Sequence, residues 1–133
     1  MATRRIKAWW GPGDDEVAEG LGVEDLEALL DRLEALGAAR PFLVDLSDEE
    51  GNVLTVGVGA PVTALAFMDG SQDPPYLTSD TEEPLIEGTM WFDYAGAESE
   101  FGPEQVISAE VGRSVVRAFA ATGDRSGVAW SEV

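Results

Sequence analysis

The chain has 133 residues, of which 26 are Asp or Glu and 8 are Lys or Arg, so its formal net charge at pH 7 is -18. Such a charge repels nucleic acid and anionic membranes, and it predicts a positively charged partner. Hydrophobic residues make up 44% of the chain, which is too much for a disordered acidic tail. We therefore expect one folded domain over residues 1–133, large enough to bury a single core.

Neither Cys nor His occurs in the chain. Their absence excludes disulfides and cysteine nucleophiles, and it removes the commonest general base and transition-metal ligand. We expect no metal and no cofactor. The basic segment Arg4-Arg5-Ile6-Lys7 leads into an apolar patch too short for a signal peptide, and no 18 apolar residues run together. These features predict a cytoplasmic protein that does not enter the membrane.

The first half of the chain predicts a strand, a helix and a meander. Over residues 6–10 the residues Ile6, Ala8 and Trp10 alternate with Lys7 and Trp9, and Arg5 precedes them, which indicates a short strand. After an acidic connector over 14–20, leucines at helical spacing predict a helix over 23–36. The runs 42–46 and 53–59 form a predicted hairpin, and the alternating segment that follows, 63–69, adds a third strand.

The second half begins with the longest predicted loop. Residues 69–87 are rich in Gly, Ser, Pro, Asp and Glu, and loops of this length are typically functional or disordered. A strand is predicted over 88–94, a helix from Pro103 to Gly123, and a brief terminal strand over 128–130. Because no crossover helices separate the strands, the predicted fold class is α+β, a mostly antiparallel sheet with two helices packed on one face.

The acidic residues are concentrated where basic residues are missing. No Lys or Arg lies between Arg40 and Arg113, and this stretch holds 15 Asp and Glu. Carboxylates fixed on a scaffold beside aromatic anchors can take the places of phosphates in a nucleic-acid-binding cleft. The alternative is a hydrated surface that only keeps the protein soluble. The candidate partner-binding residues are Asp69, Asp73, Asp80, Glu82, Glu83, Glu87, Trp91 and Asp93.

Three other kinds of site have weaker support. The acidic turn 45–51 fails the spacing of a calcium loop, which leaves a solvated hairpin turn. Gly57-Val58-Gly59 lacks the third glycine of a dinucleotide site, which leaves bulge or close-packing glycines. A pair of carboxylates among residues 80–93 would suffice for glycoside hydrolysis, but among 26 acidic residues some pair always fits. We assign no catalytic residue and expect a protein that is not an enzyme.

The C-terminal segment carries a family resemblance. Phe119-Ala120-Ala121-Thr122-Gly123-Asp124-Arg125, followed by Val128-Ala129-Trp130, resembles the closing motif of a family of small bacterial immunity proteins. Residues 54–59 and 65–67 and the proline that opens the last helix, Pro103, are similar to that family too, so the resemblance runs from about Phe42 to Trp130. Ser126 departs from the motif, where the family more often has Pro.

The resemblance implies an α+β fold and an inhibitory function, since such proteins are paired with secreted polymorphic toxins, many of them nucleic-acid deaminases. We expect the partner to be a cognate zinc-dependent deaminase domain whose substrate cleft this protein blocks. Phe119 and Trp130 carry over as structural residues, and no toxin-contacting residue is transferred. Two alternatives stay open: an acidic inhibitor of a nuclease toxin or of another basic nucleic-acid-binding protein, and a carboxylate-dependent hydrolase. Nucleic acid and membrane are not expected as direct partners.

Overall fold

The computed structural model describes residues 4–13, 15–71 and 73–133. Its helices are α1 (Val23–Leu36), α2 (Ala109–Thr122) and one 3-10 turn (Pro103–Gln105). The strands are β1 (Ile6–Trp10), β2 (Glu16–Leu21), β3 (Phe42–Ser47), β4 (Val53–Val58), β5 (Val62–Thr63), β6 (Leu65–Met68), β7 (Leu77–Asp80), β8 (Met90–Tyr94), β9 (Ala97–Phe101), β10 (Ile107–Ser108) and β11 (Ala129–Glu132).

Nine strands of the described ranges form one sheet. Seven of them follow the order β11-β7-β6-β4-β3-β1-β2, and every neighbouring pair in that order is antiparallel. The β8–β9 hairpin joins at β3, where Phe42 and Asp93 pair in parallel. β5 and β10 form a separate two-stranded ladder. The predicted α+β class with a mostly antiparallel sheet is therefore confirmed.

Both helices cover the same face of this sheet. Side chains alternate along a strand, so Val44 and Leu46 of β3 point to one face and Asp45 to the other. Val44 and Leu46 share a buried cluster with four leucines of α1 and with Val115, Val116, Phe119 and Ala120 of α2. In the described ranges neither α1 nor α2 covers the opposite face, and we call it the helix-free face.

The two helices end as the sequence predicts, but α2 begins later. α1 stops where the Gly37 N–H donates to the Leu33 carbonyl at 2.8 Å, and α2 stops at Gly123 with a φ of 80°. The predicted start at Pro103 is wrong, because Pro103–Gln105 is a 3-10 turn and Ile107 pairs with Thr63. The Ser108 hydroxyl then caps α2 by accepting from the Val111 N–H at 3.1 Å.

Three strands were not predicted from the sequence: two lie in predicted connecting segments, and for the third no element was predicted. β2 occupies most of the predicted connector over 14–20, whose first residue, Asp14, lies outside the described residues. β7 lies inside the predicted loop 69–87, and β9 follows β8. β7 is polar yet buried because Ser79 accepts from the Leu65 N–H at 3.0 Å and donates to the Gln105 carbonyl at 2.7 Å. Residues distant in sequence therefore stabilise β7, whereas β2 and β9 pair with the strands directly before them, β1 and β8.

The turn between β3 and β4 is held by a buried carboxylate, which corrects the expected solvated turn. Asp48 is 6% exposed and accepts hydrogen bonds from Arg4 at 2.5 Å, from the Glu50 N–H at 2.9 Å and from Asn52 at 3.0 Å. Burial raises the pKa of Asp48, but the hydrogen bonds from Asn52, Arg4 and Glu50 outweigh it and hold the pKa below its ordinary value.

The position of the β8–β9 hairpin depends on a close contact between Phe92 and Gly57 of β4. Phe92 lies against Gly57 on the helix-free face, where a Cβ at Gly57 would stand 2.4 Å from a ring atom. Phe92 also packs edge-on against Phe101 at 6.0 Å between ring centroids. Together with Leu43, these rings belong to a second small core. The interpretation of Gly57 as a close-packing residue is confirmed.

We predict that Asp48→Asn lowers the free energy of unfolding by about 1–3 kcal/mol at pH 7, because it weakens hydrogen bonds to a charged group. The pKa of Asp48 is lowered in the fold, so its stabilising contribution is present above the unfolded pKa of about 4 and is lost as the pH falls through the folded pKa. Denaturant unfolding from pH 7 to pH 2 measures this. Glu50→Gln, at an exposed side chain in the same turn, is the control. A deficit as large at pH 2 as at pH 7 would contradict the prediction.

We predict that Gly57→Ala destabilises the fold by about 1–3 kcal/mol, because the new methyl group displaces the buried ring of Phe92. The cost should be smaller in a Phe92→Leu background, where the contacting ring atoms are absent. A double-mutant cycle of unfolding free energies measures the coupling. Equal costs in the two backgrounds would show that Phe92 does not set the requirement for glycine.

Candidate protein-binding surface

The outer side of the β8–β9 hairpin combines one tryptophan with three acids. Phe92 and Phe101 face the small core, so the residues alternating with them face away from it. The strand register pairs Trp91 with Glu100 and Asp93 with Glu98 on that outer side. Trp91 is 47% exposed. We call these four residues the hairpin face.

An acidic loop over residues 81–89 joins β7 to this hairpin. At its start the Thr81 N–H donates to the Glu104 carbonyl at 2.8 Å, and at its end Met90 pairs with Phe101. Between these points Ile86 packs on the small core. Both ends of the loop therefore lie beside the Phe101 end of the hairpin, close in the chain to Glu100 and Glu104.

The structure divides the predicted binding residues into two groups. Six lie on the hairpin or on the segment that leads into it: Asp80, Glu82, Glu83, Glu87, Trp91 and Asp93. Asp69 and Asp73 lie at the opposite end of β6 and β7, where the Gly70 N–H donates to the Asn52 side chain at 2.8 Å in the β3–β4 turn. Asp69 there accepts the Ser71 N–H at 2.9 Å.

Asp93 differs from the other acids of the hairpin face. Its carboxylate lies 3.4 Å from Arg40, and its side chain is only 16% exposed. Its N–H donates to the Pro41 carbonyl at 2.9 Å. Asp93 therefore ties the hairpin to the segment before β3, and its charge is partly neutralised.

Sequence reasoning missed three acids of this region, Glu98, Glu100 and Glu104, all of which are exposed. The alternation of Ala97-Glu98-Ser99-Glu100-Phe101 after Ala95-Gly96 contains the signal, because a two-residue turn followed by alternating residues is typical of a hairpin. Ala95 and Gly96 have φ values of 50° and 87°, as such a turn requires.

Several basic residues form ion pairs away from the hairpin face and the acidic loop. On the helices Arg113 lies 2.9 Å from Asp31 and Arg117 lies 2.6 Å from Glu27, and Arg4 binds Asp48. Among the described residues, no ion pair involves the exposed acids Glu82, Glu83, Glu87, Glu98 or Glu100. The hairpin face and the acidic loop therefore present a mostly uncompensated negative surface.

Two clefts lie apart from the acidic loop. A groove of about 790 Å³ lies between α1 and the β1–β2 hairpin and is lined by Trp10, Leu33 and Arg32 among others. A cleft of about 600 Å³ lies on the helix-free face, where Asp45 accepts from Thr55 at 2.5 Å and from Tyr94 at 2.8 Å. Of the carboxylates considered for a hydrolase, Asp93 lines the groove beside α1, where it pairs with Arg40. The others line neither cleft: Asp80, Glu82, Glu83 and Glu87.

In residues 4–13, 15–71 and 73–133, no three His, Cys, Asp or Glu side chains are grouped so that they could hold a metal ion. No helix in these ranges is long and apolar enough to cross a bilayer.

The sequence profile of one known family, described as Immunity protein Imm1, matches residues 14–132. The chain belongs to the Imm1 immunity protein family. The resemblance to bacterial immunity proteins is thereby confirmed, and membership indicates an immunity protein directed against a toxin. No curated protein matches the chain significantly in sequence.

We predict that Trp91→Ala lowers the free energy of unfolding by less than about 1 kcal/mol, because the side chain is half-exposed on the hairpin face. Trp130→Ala is the matched control. Trp130 donates to the Arg125 carbonyl at 2.8 Å and packs against Phe67, so its loss should cost about 3 kcal/mol or more. Chemical denaturation measures both, and equal losses would show that Trp91 is a packing residue like Trp130.

Proposed function

We propose that this Imm1 protein neutralises a nucleic-acid deaminase toxin by covering the toxin's substrate cleft. The observation that carries the proposal is the uncompensated acidic surface made by the hairpin face and the acidic loop. Membership of the family supports a toxin as the partner. The negative surface supports a toxin with a basic cleft, as a nucleic-acid-binding enzyme would have.

Occlusion alone is enough for inhibition of such an enzyme. A deaminase acts on a base that is single-stranded or flipped out of the duplex and enters a pocket beside the catalytic zinc. The entrance to that pocket must attract phosphates and is therefore basic. An acidic body seated there excludes the nucleic acid without any reaction. The zinc belongs to the toxin, and the immunity protein contributes no cofactor.

The proposed contacts follow from exposure and charge. Glu82, Glu83 and Glu87 of the acidic loop would meet the basic rim, and Trp91 would be the apolar anchor, since Trp is enriched at binding hot spots. Asp80 lies at the start of the loop and Asp93 is held by Arg40, so both would act at the border. Glu98, Glu100 and Glu104 extend the surface. Asp69 and Asp73 would contribute only long-range attraction.

The test is inhibition of the toxin domain encoded beside this chain. The purified toxin domain should deaminate single-stranded nucleic acid, and one equivalent of the immunity protein should abolish that activity. A toxin that cuts nucleic acid and is inhibited would replace the deaminase with the nuclease alternative, since a basic cleft of either enzyme fits the same surface. Failure to form a complex would remove the proposal. The protecting protein would act in the cytoplasm of the producing cell, before the toxin is exported.

We predict that Glu82→Lys combined with Glu83→Lys slows association with the toxin about tenfold at low salt, because steering by opposite charges raises association rates. The difference should shrink as salt is added. Stability should change by less than about 0.5 kcal/mol, since both side chains are exposed. Stopped-flow association measures the rate.

The matched control is Glu50→Lys combined with Asp73→Lys. It changes the net charge by the same amount, and both positions are exposed at the opposite end of the sheet. If both double variants slowed association equally, overall charge and not the acidic loop would steer the toxin.

A further inference from the structure

The outer edge of β9 is open, and we propose that an extended basic segment of the toxin pairs with it as an additional strand. This inference rests on the proposed function and specifies its binding mode. In the described sheet β9 pairs only with β8, and Glu98 and Glu100 are exposed. Strands that dock in this way gain affinity from main-chain hydrogen bonds and specificity from alternate side chains.

The direction of the free backbone groups can be read from β8. The Asp93 N–H donates to the Pro41 carbonyl on the β3 side, so the backbone of Asp93 faces away from β9. Its cross-strand partner Glu98 is then a non-hydrogen-bonded residue of the hairpin, and Glu100 is the next of that kind. The N–H and C=O groups of Glu98 and Glu100 therefore point outward from the edge, where an added strand would bind them.

The side chains at these two positions specify what the added strand carries. The carboxylates of Glu98 and Glu100 lie on the hairpin face, and residues directly across an added strand would lie on that same face. Lys or Arg at two alternate positions of the incoming segment would then each meet one carboxylate. Trp91, paired with Glu100, stands one strand further in and offers a ring to a long basic side chain.

The other open edges of the sheet suit such a segment less well. At the β2 edge Glu19 lies 3.8 Å from Lys7, and Arg5 donates to the Gly20 carbonyl at 3.5 Å, so cations already lie beside that strand. At the β11 edge Glu132 is the one acidic residue of the strand. β9 alone among these three strands carries two acids free of ion pairs beside an exposed tryptophan. The same acids repel a second copy of this edge, which disfavours self-association.

A comparison of alanine and proline substitutions at the same position separates the contribution of the backbone N–H to toxin binding from that of the carboxylate charge. Glu100→Ala removes the carboxylate and keeps the outward N–H, whereas Glu100→Pro removes both. Proline is tolerated on an edge strand whose N–H faces solvent, and the preceding Ser99 is already extended. Glu98→Ala and Glu98→Pro repeat the comparison. Thermal unfolding of each variant checks that the fold is retained.

The affinity of each variant is measured by titration with the toxin domain encoded beside this chain. We expect Glu100→Pro to bind about tenfold more weakly than Glu100→Ala, because a main-chain hydrogen bond is lost in addition to the charge. Equal affinities of the proline and alanine variants would overturn strand addition while leaving the proposed function intact. If the wild-type protein bound no toxin, the proposed function and strand addition would both be wrong.

Amide hydrogen exchange on the wild-type protein provides the second measurement, which needs no variant to fold. The Glu98 and Glu100 amides should exchange fast in the free protein and become at least about a hundredfold slower in the complex, as expected for strand hydrogen bonds. The Ser99 amide faces β8 and serves as the internal control, since its protection should already exist in the free protein. Unchanged exchange at both glutamates in a formed complex would overturn the proposal.

Discussion

The contact between Phe92 and Gly57 is the constraint on which the candidate surface depends. Only a residue without a side chain at position 57 lets the ring lie directly on the backbone of β4. Once the ring is seated, Phe101 and Leu43 close the small core around it, and the alternation of β8 and β9 turns Trp91, Glu98 and Glu100 outward. The orientation of the acidic surface thus follows from one close approach in the interior of the molecule.

The distribution of charge separates the helix side of the molecule, where acids are paired with arginines, from the side that we propose binds the toxin. Arg113 and Arg117 neutralise acids of α1, and Arg4 is placed in the core-lining turn with Asp48. Among the described acids of the hairpin face and the acidic loop, Asp93 is the one with an ion pair, which it makes with Arg40. Mutual repulsion on that side costs some stability, and it is offset only when a cationic partner binds. This is the arrangement expected of an Imm1 protein whose partner binds nucleic acid.

Local patterns in the sequence predicted the elements that local chemistry decides. Leucine spacing and Gly37 placed α1 correctly, and alternation placed β1, β3, β4 and β8. β7 was missed because its polar residues are buried through partners far along the chain, as Ser79 shows through Leu65 and Gln105. β2 and β9 were missed because they are mostly exposed edge strands without a clear apolar alternation. Trp91 and the acidic loop were named from sequence, but the neighbouring Glu98 and Glu100 required β9, and the separation of Asp69 and Asp73 required the sheet order.

The indole N–H signals of the four tryptophans report the binding surface in a single titration, because each lies in a different part of the molecule. Trp91 marks the hairpin face, Trp9 the cleft on the helix-free face, Trp10 the groove beside α1, and Trp130 the packing around Phe67. Addition of the toxin domain to the ¹⁵N-labelled protein should shift or broaden the signal of Trp91 while the other three change little. A complex in which Trp9 or Trp10 responds and Trp91 does not would contradict recognition through the acidic surface.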